Sequence, residues 1–257
     1  VTEGVAFMKN ALRFLFVATM AALLAAFWSG AASAALIGTT PTATVTAISP
    51  ANGQLVGVAA PVTFTFAAPV TDRAGAERTA SIRSTEALPG TFAWVNDTEL
   101  RWTPSVNLPA SAPISVQFGN QRTEFQTNGG VYAEANLSAH TFTVSIGGQV
   151  VRNMPASMGK PGFETPTGNF TVLEKFRSIV FDSRTIGIPL DDPEGYIIDG
   201  EWAERLTWGG VFVHSAPWSV DSQGYANVSH GCINLSPDDA AWYYENVGIG
   251  DPVYIHW

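Results

Sequence analysis

The sequence predicts a mainly β chain: a leader, then two β-rich units, the second carrying one helix. Three observations support this. Apolar residues alternate with polar ones at period two, as Val62, Phe64 and Phe66 do with Thr63 and Thr65, which turns one strand face to a core and the other to water. Short runs of this kind recur between Pro and Gly turns. A full set of helix-start signals appears at one place, beginning at Ser236.

The length of 257 residues suits one large or two medium domains, since domains typically run about 100 to 200 residues. With 46% hydrophobic residues, 8 Trp and 15 Phe, the chain can bury a sizeable core, and disorder over its whole length is excluded. Lys and Arg number 13 against 22 Asp and Glu, for a net charge of -9 without a basic cluster, so no nucleic-acid partner is expected. The single cysteine excludes an internal disulfide framework and a multi-thiolate zinc site.

Residues 1–34 read as a signal peptide. Lys9 and Arg13 precede an apolar run from Phe14 to Trp28, and Ala32-Ser33-Ala34 supplies a cleavage site of the A-x-A kind. The run falls short of the roughly 20 apolar residues that span a bilayer. The expectation is an exported protein, working in the cell wall or periplasmic space outside the cytoplasmic membrane.

Residues 42–127 form the first unit. Phe92 to Val95 and Thr98 to Trp102 flank Asn96-Asp97, a two-residue connection suited to a hairpin. An antiparallel sandwich follows, immunoglobulin-like in size but without the cysteine pair of antibody domains. It holds no cluster of acids, histidines or nucleophiles, so it reads as a spacer or docking module. Gln126 to Gly130, polar and flexible, marks the boundary. Residues 131–257 form the second unit. A hairpin turning at Gly147-Gly148 opens it, and strand-like runs follow at Asn169 to Leu173, Ser178 to Phe181, Val211 to His214 and Pro252 to His256. Ser178 to Trp202 is otherwise loop-rich. In the helix, Ser236 is the N-cap, Pro237 fits the first turn, Asp238 and Asp239 suit the positive end of the dipole, and Gly248 closes it.

The cysteine lies just upstream of that helix, in Ser229-His230-Gly231-Cys232-Ile233-Asn234. An unpaired thiol on an exported protein is an oxidation hazard and needs a reason to exist. Gly231 lets the backbone turn sharply, exposing the sulfur and aiming successive N–H groups at one point. Val211 to His214 reads as a buried strand ending in an imidazole. A thiol and an imidazole are the two parts of a cysteine nucleophile: the base takes the proton, and the resulting ion pair keeps sulfur reactive at neutral pH.

His214, fourteen intervening residues and Ser229 to Asn234 resemble the signature of the L,D-transpeptidases, the YkuD-type catalytic domain. The likeness extends through Ser157-Met158-Gly159-Lys160, Thr165-Pro166-Thr167-Gly168 and His214 to Trp218, and covers about Val131 to Trp257. The preceding sandwich is similar to the immunoglobulin-like domain of the mycobacterial members. The resemblance implies an acyltransferase that forms 3-to-3 peptidoglycan cross-links, with a stem tetrapeptide as donor, a second stem as acceptor, and carbapenem-type β-lactams as covalent inhibitors. By the same likeness Cys232 is the nucleophile, His214 the base and then the acid, and Ser215 orients His214 through its carbonyl. Gly231 and Cys232, with His230, are candidate oxyanion donors. The stretch around Tyr196 resembles a flap; Tyr196, Trp218, Phe181, Ile186, Ser229 and Asn234 are candidates for substrate contact. His230 and Ser229 read equally as holders of the loop. Phe181 and Ile186 stand where family members often carry Met and Tyr.

No cofactor is expected, and a monomer is. His140, placed in a strand, and His256 read as surface or edge residues, and Asp182, Asp191 and Asp192 as solvating the flap. The rivals are an L,D-carboxypeptidase or other cysteine hydrolase that resolves the same thioester with water, a zinc enzyme using His214, His230 and Cys232, and a catalytically silent wall-binding module. The zinc reading lacks an acidic general base.

Overall fold

The structure, a computed structural model, describes residues 43–257; the leader lies outside the described residues. Alternation builds the first unit from two four-stranded sheets. One orders β1 (Val45–Ser49), β3 (Val62–Phe66), β6 (Glu99–Pro104) and β5 (Gly90–Asn96). The other orders β2 (Leu55–Val56), β8 (Gln121–Thr127), β7 (Pro113–Phe118) and β4 (Ala80–Arg83). Val62, Phe64, Leu100 and Trp102 from the first sheet meet Ile114, Val116 and Phe125 from the second in one buried core, and burial of that apolar area is the main favourable contribution to the sandwich. The β5–β6 hairpin turns at Asp97-Thr98, one residue later than expected, because Asn96 itself pairs with Glu99. A short helix α1 (Arg73–Thr79), capped by the Asp72 carboxylate, was not anticipated: it buries only Ala76 and so shows no apolar period.

The second unit opens one strand earlier than predicted, with β9 (Val131–Asn136), followed by the expected hairpin β10 (Thr141–Ile146) and β11 (Gln149–Pro155). With β12 (Gly168–Thr171) and β17 (Pro252–His256) these form a sheet of order β11-β10-β9-β17-β12, in which β17 runs parallel to β9. The second sheet orders β13 (Glu174–Asp182), β14 (Ile197–Arg205), β15 (Phe212–Ser215) and β16 (Ile233–Leu235). Helix α2 (Pro237–Asn246) starts as predicted: Ser236 Oγ accepts from Asp239 N, and Asp238 and Asp239 sit in the first turn. Its Tyr243 meets Phe142 edge-on in a core that also takes in Val213, Ile233 and Leu235.

Three expectations change. Ser178 to Trp202 is mostly a β-hairpin: Phe181 pairs with Ile198 and Ser178 with Glu201, and a 3-10 turn at Ser183–Ile186 lies in its connection. His140 is in a turn with φ +55°, not in a strand, and its ring bonds the Asn227 side chain. The boundary segment is tied down. Thr127 is buried, and the Asn128 amide donates to Asp251, whose carboxylate also accepts from Val58 N at 3.1 Å and Gly248 N at 2.7 Å. Backbone bonds Gly57 N to Ile249 O and Ala59 N to Gly250 O, each 2.8 Å, complete this seam. Gly57 is required there, since a Cβ would come within 2.1 Å of Asp251 N.

Candidate active site

Strand register puts the thiol and the imidazole on one wall. β15 and β16 are parallel neighbours with His214 opposite Asn234. Successive side chains alternate, so Val213, Ile233 and Leu235 face the core. His214 and Asn234 face the other way, and Cys232, one residue ahead of β16, shares their parity. All three line a cavity of about 450 Å³, together with Phe181, Ile186, Tyr196, Trp218, Ser229 and His230.

His214 is buried, and its Nδ1 lies 2.7 Å from the Ser215 carbonyl oxygen. A carbonyl only accepts, so Nδ1 carries the proton and Nε2 presents a lone pair. Burial pushes the imidazole down to about 4, against the opposing pull of the Ser215 carbonyl. Phe181 and Trp218 flank the ring, at 4.6 Å and 5.9 Å between centroids. The Cys232 thiol donates to the Gly210 carbonyl at 3.5 Å, and burial pushes it up to about 11. The expected preformed ion pair is therefore disfavoured, because desolvation penalises the charged form of both partners.

The loop carrying Cys232 is anchored by its own residues. Ser229 N donates to Met158 O at 2.9 Å, and Ser229 Oγ donates to Cys232 O at 2.7 Å and accepts from Gly231 N at 3.1 Å. The geometry thus gives Ser229 an internal holding role. It also corrects the expectation for Gly231: the N–H proposed as an oxyanion donor is engaged by the hydroxyl two residues back. Gly231 does provide the sharp turn, at φ +113°.

His230 is held as well. Its Nε2 lies 2.9 Å from Glu194 Oε2, and its ring packs on Phe163 and Tyr196 at 4.7 and 5.1 Å. Glu194 also receives Lys160 Nζ at 2.6 Å, and Lys160 first and His230 second hold its carboxyl below the usual range. Glu194 was missed in sequence, where nothing marks it among the acids of its loop. Asn234 Nδ2 donates to Ser219 Oγ at 3.1 Å, while its Oδ1 is buried without a partner. Tyr196 is half-buried, its phenol pushed up to about 12 first by burial and then by the neighbouring Cys232. Asp182 does not simply solvate the flap; it caps the 3-10 turn and pairs with Arg184. His256 pairs with Glu134. Among the described residues no group of three or more His, Cys, Asp or Glu is placed to hold a metal ion, and no helix is long and apolar enough to cross a membrane.

Comparison with known proteins agrees with this geometry. The family model of the L,D-transpeptidase catalytic domain (YkuD) matches residues 130–255, and that of a bacterial Ig domain matches residues 30–121. L,D-transpeptidase 1 of Mycobacterium tuberculosis is 48% identical over 249 residues, covering 96% of this chain and 99% of the relative. Among solved structures, an L,D-transpeptidase from Mycobacterium smegmatis is 57% identical with a TM-score of 0.77, covering 84% of this chain and 99% of that one. The LD transpeptidase LdtMt1 in complex with imipenem is 51% identical, also with a TM-score of 0.77, covering 84% of this chain and 100% of that one. A mainly β chain with an Ig-like unit, a cysteine and a histidine sharing one cavity, and full-length relatives of this kind belongs to the L,D-transpeptidase family.

Proposed function

We propose that this L,D-transpeptidase forms 3-to-3 peptidoglycan cross-links through a thioester on Cys232. One observation carries the reading: the Ser215 carbonyl fixes the His214 tautomer, leaving Nε2 as a base on the cavity wall that holds the thiol. Because burial works against charge on both groups, the proton leaves sulfur as attack begins. Cys232 Sγ adds to the carbonyl between the third stem residue and the terminal D-Ala, and His214 Nε2 takes the thiol proton. As the C–N bond breaks, His214 returns that proton to the departing D-Ala amine. The amine of a second stem then attacks the thioester, His214 accepts its proton, and the thiol is restored.

Phe181, Ile186, Tyr196 and Trp218 form apolar walls for the stem, Asn234 Oδ1 offers it an acceptor, and Ser229 and His230 hold the loop. Carbapenem-type β-lactams acylate the same thiol; the relative solved with imipenem supports this. The protein acts as a monomer in the cell wall or periplasmic space after export, residues 1–34 being its signal peptide. Residues 42–127 form its Ig-like spacer or docking domain, and residues 131–257 its catalytic domain.

Incubation with a disaccharide tetrapeptide, with products read by mass, tests the proposal. The expected product is a cross-linked dimer that has lost D-Ala. Tripeptide alone would mean that water resolves the thioester, and no product would overturn the reading.

A further inference from the structure

The loop's hydrogen bonds single out one residue outside the cavity. Thr165 is buried at 2% exposure, and neither it nor Gly231 lines the cavity. Its hydroxyl accepts from Gly159 N at 2.9 Å and donates to the Gly231 carbonyl at 2.9 Å. With the acceptor side taken by an N–H, the hydroxyl proton has one place to go, the Gly231 oxygen. That oxygen belongs to the peptide whose other end is the Cys232 N–H. A trans peptide is planar, with its C=O and N–H pointing in opposite directions. Holding the oxygen toward the interior therefore aims the Cys232 N–H at the cavity side. Ser229 N donates to Met158 O and Gly231 N to Ser229 Oγ, so these two amides are engaged within the loop. The Cys232 N–H, like that of His230, has no acceptor among the described residues, and it is the one whose peptide Thr165 holds.

We infer that Thr165 is a positioning residue, whose hydroxyl sets the plane of the Gly231–Cys232 peptide so that the Cys232 N–H meets the oxyanion formed when the thiol adds to a carbonyl. The inference rests on Cys232 being the acylated nucleophile. Thr165 contacts no reacting atom; it acts through one peptide bond, and its effect is confined to steps that build negative charge on oxygen. Alkylation of the thiol builds none. Acylation does, and loss of a single oxyanion donor costs about 10²-fold or more.

The test compares two reactions of the same sulfur. Wild-type protein, Thr165→Val and Thr165→Ser are each treated with imipenem and, separately, with iodoacetamide, and both rates are followed by intact mass, with circular dichroism and thermal melting as checks of fold. Thr165→Val is expected to acylate at least about tenfold more slowly while alkylating at the wild-type rate, and Thr165→Ser, which keeps the hydroxyl, to recover most of the acylation rate. If Thr165→Val does not fold, Thr165→Ala removes the same donor without pressing a second methyl against Gly159 N and the Gly231 carbonyl, and the same split is expected. Equal slowing of both reactions, or wild-type acylation in the valine and alanine variants, overturns the role of Thr165 alone. Failure of the wild-type protein to acylate while it still alkylates overturns both this inference and the thioester reading.

Discussion

The loop that carries Cys232 and the β13–β14 hairpin that walls the same cavity are built on opposite plans. In the loop, Ser229, Gly231 and the Cys232 carbonyl are each bonded within the fold, and Gly231 and Ser229 are buried. In the hairpin, β13 is an edge strand, Val180 and Ile197 are 58% and 55% exposed, and the connection passes through a 3-10 turn and a run of Pro and Gly. The difference separates two tasks. Chemistry needs atoms fixed in position, because small displacements of a reacting group cost large factors in rate; accommodating a long peptide needs apolar walls that can adjust. Substitutions in the loop should then strike kcat, and substitutions in the hairpin should strike KM.

The largest effect is expected at Cys232, the proposed nucleophile. Cys232→Ala should reduce cross-linking below detection in the disaccharide-tetrapeptide assay while leaving circular dichroism and melting close to wild type. Next comes Gly231→Ala. At φ +113° an L side chain is strained, even though an added Cβ would lie 3.6 Å from its nearest neighbour, the Phe163 carbonyl oxygen. The conformational cost is about 1 to 3 kcal/mol, and kcat should fall by about 10²-fold as the loop relaxes. Steady-state kinetics that left kcat intact would remove the contrast between loop and hairpin.

Smaller effects belong to the hairpin. Phe181→Ala removes a ring 4.6 Å from His214 and opens the cavity wall. KM should rise by about three- to tenfold, consistent with roughly 1 kcal/mol for lost apolar contact. Because burial is what pushes His214 down to about 4, the same variant should raise the imidazole pKa, as read by NMR titration of its ring protons. A KM unchanged together with an unmoved titration would sever the hairpin from the site.

The smallest effect is expected behind the site, at Glu204. Both its carboxylate oxygens are buried without partners, and burial, the main cause, holds its carboxyl well above the usual range against the opposing pull of Lys175. A carboxyl raised in the folded state favours folding while protonated, and that contribution is lost as pH rises through the native value. Thermal melts from pH 5 to 9 should therefore show wild type losing stability toward alkaline pH more steeply than Glu204→Gln, with activity at neutral pH little changed. Parallel melting curves would place the Glu204 proton elsewhere.

How much was legible in sequence divides along the same line. Cys232, His214 and the start of α2 were readable because each is a local pattern: one thiol beside a glycine, an imidazole ending an apolar run, and Ser236-Pro237-Asp238-Asp239. Ser215 as the partner of His214 came from family likeness, and the 2.7 Å contact agrees with it. Glu194 was not readable, since its value lies in Lys160 and His230, which are 34 and 36 residues away and meet it only in the folded structure. β14 itself was hidden by Asp199-Gly200, residues depleted in strands, although Gly200 is where the Phe181 ring needs space: a Cβ there would come within 2.3 Å of it. The junction at Asn128 looked flexible because its anchor, Asp251, lies 123 residues away. That burial works against charge on both the thiol and the imidazole is a consequence of packing, which residue types alone do not reveal.

The most direct test of the central claim is the intact mass of the protein within the first turnovers on a tetrapeptide stem, followed by peptide mapping. A thioester intermediate gives a gain equal to the stem less D-Ala, carried on Cys232, reversed by an amine acceptor and absent from Cys232→Ala. Cross-linked product formed with no such adduct, or an adduct on any other side chain, would contradict it.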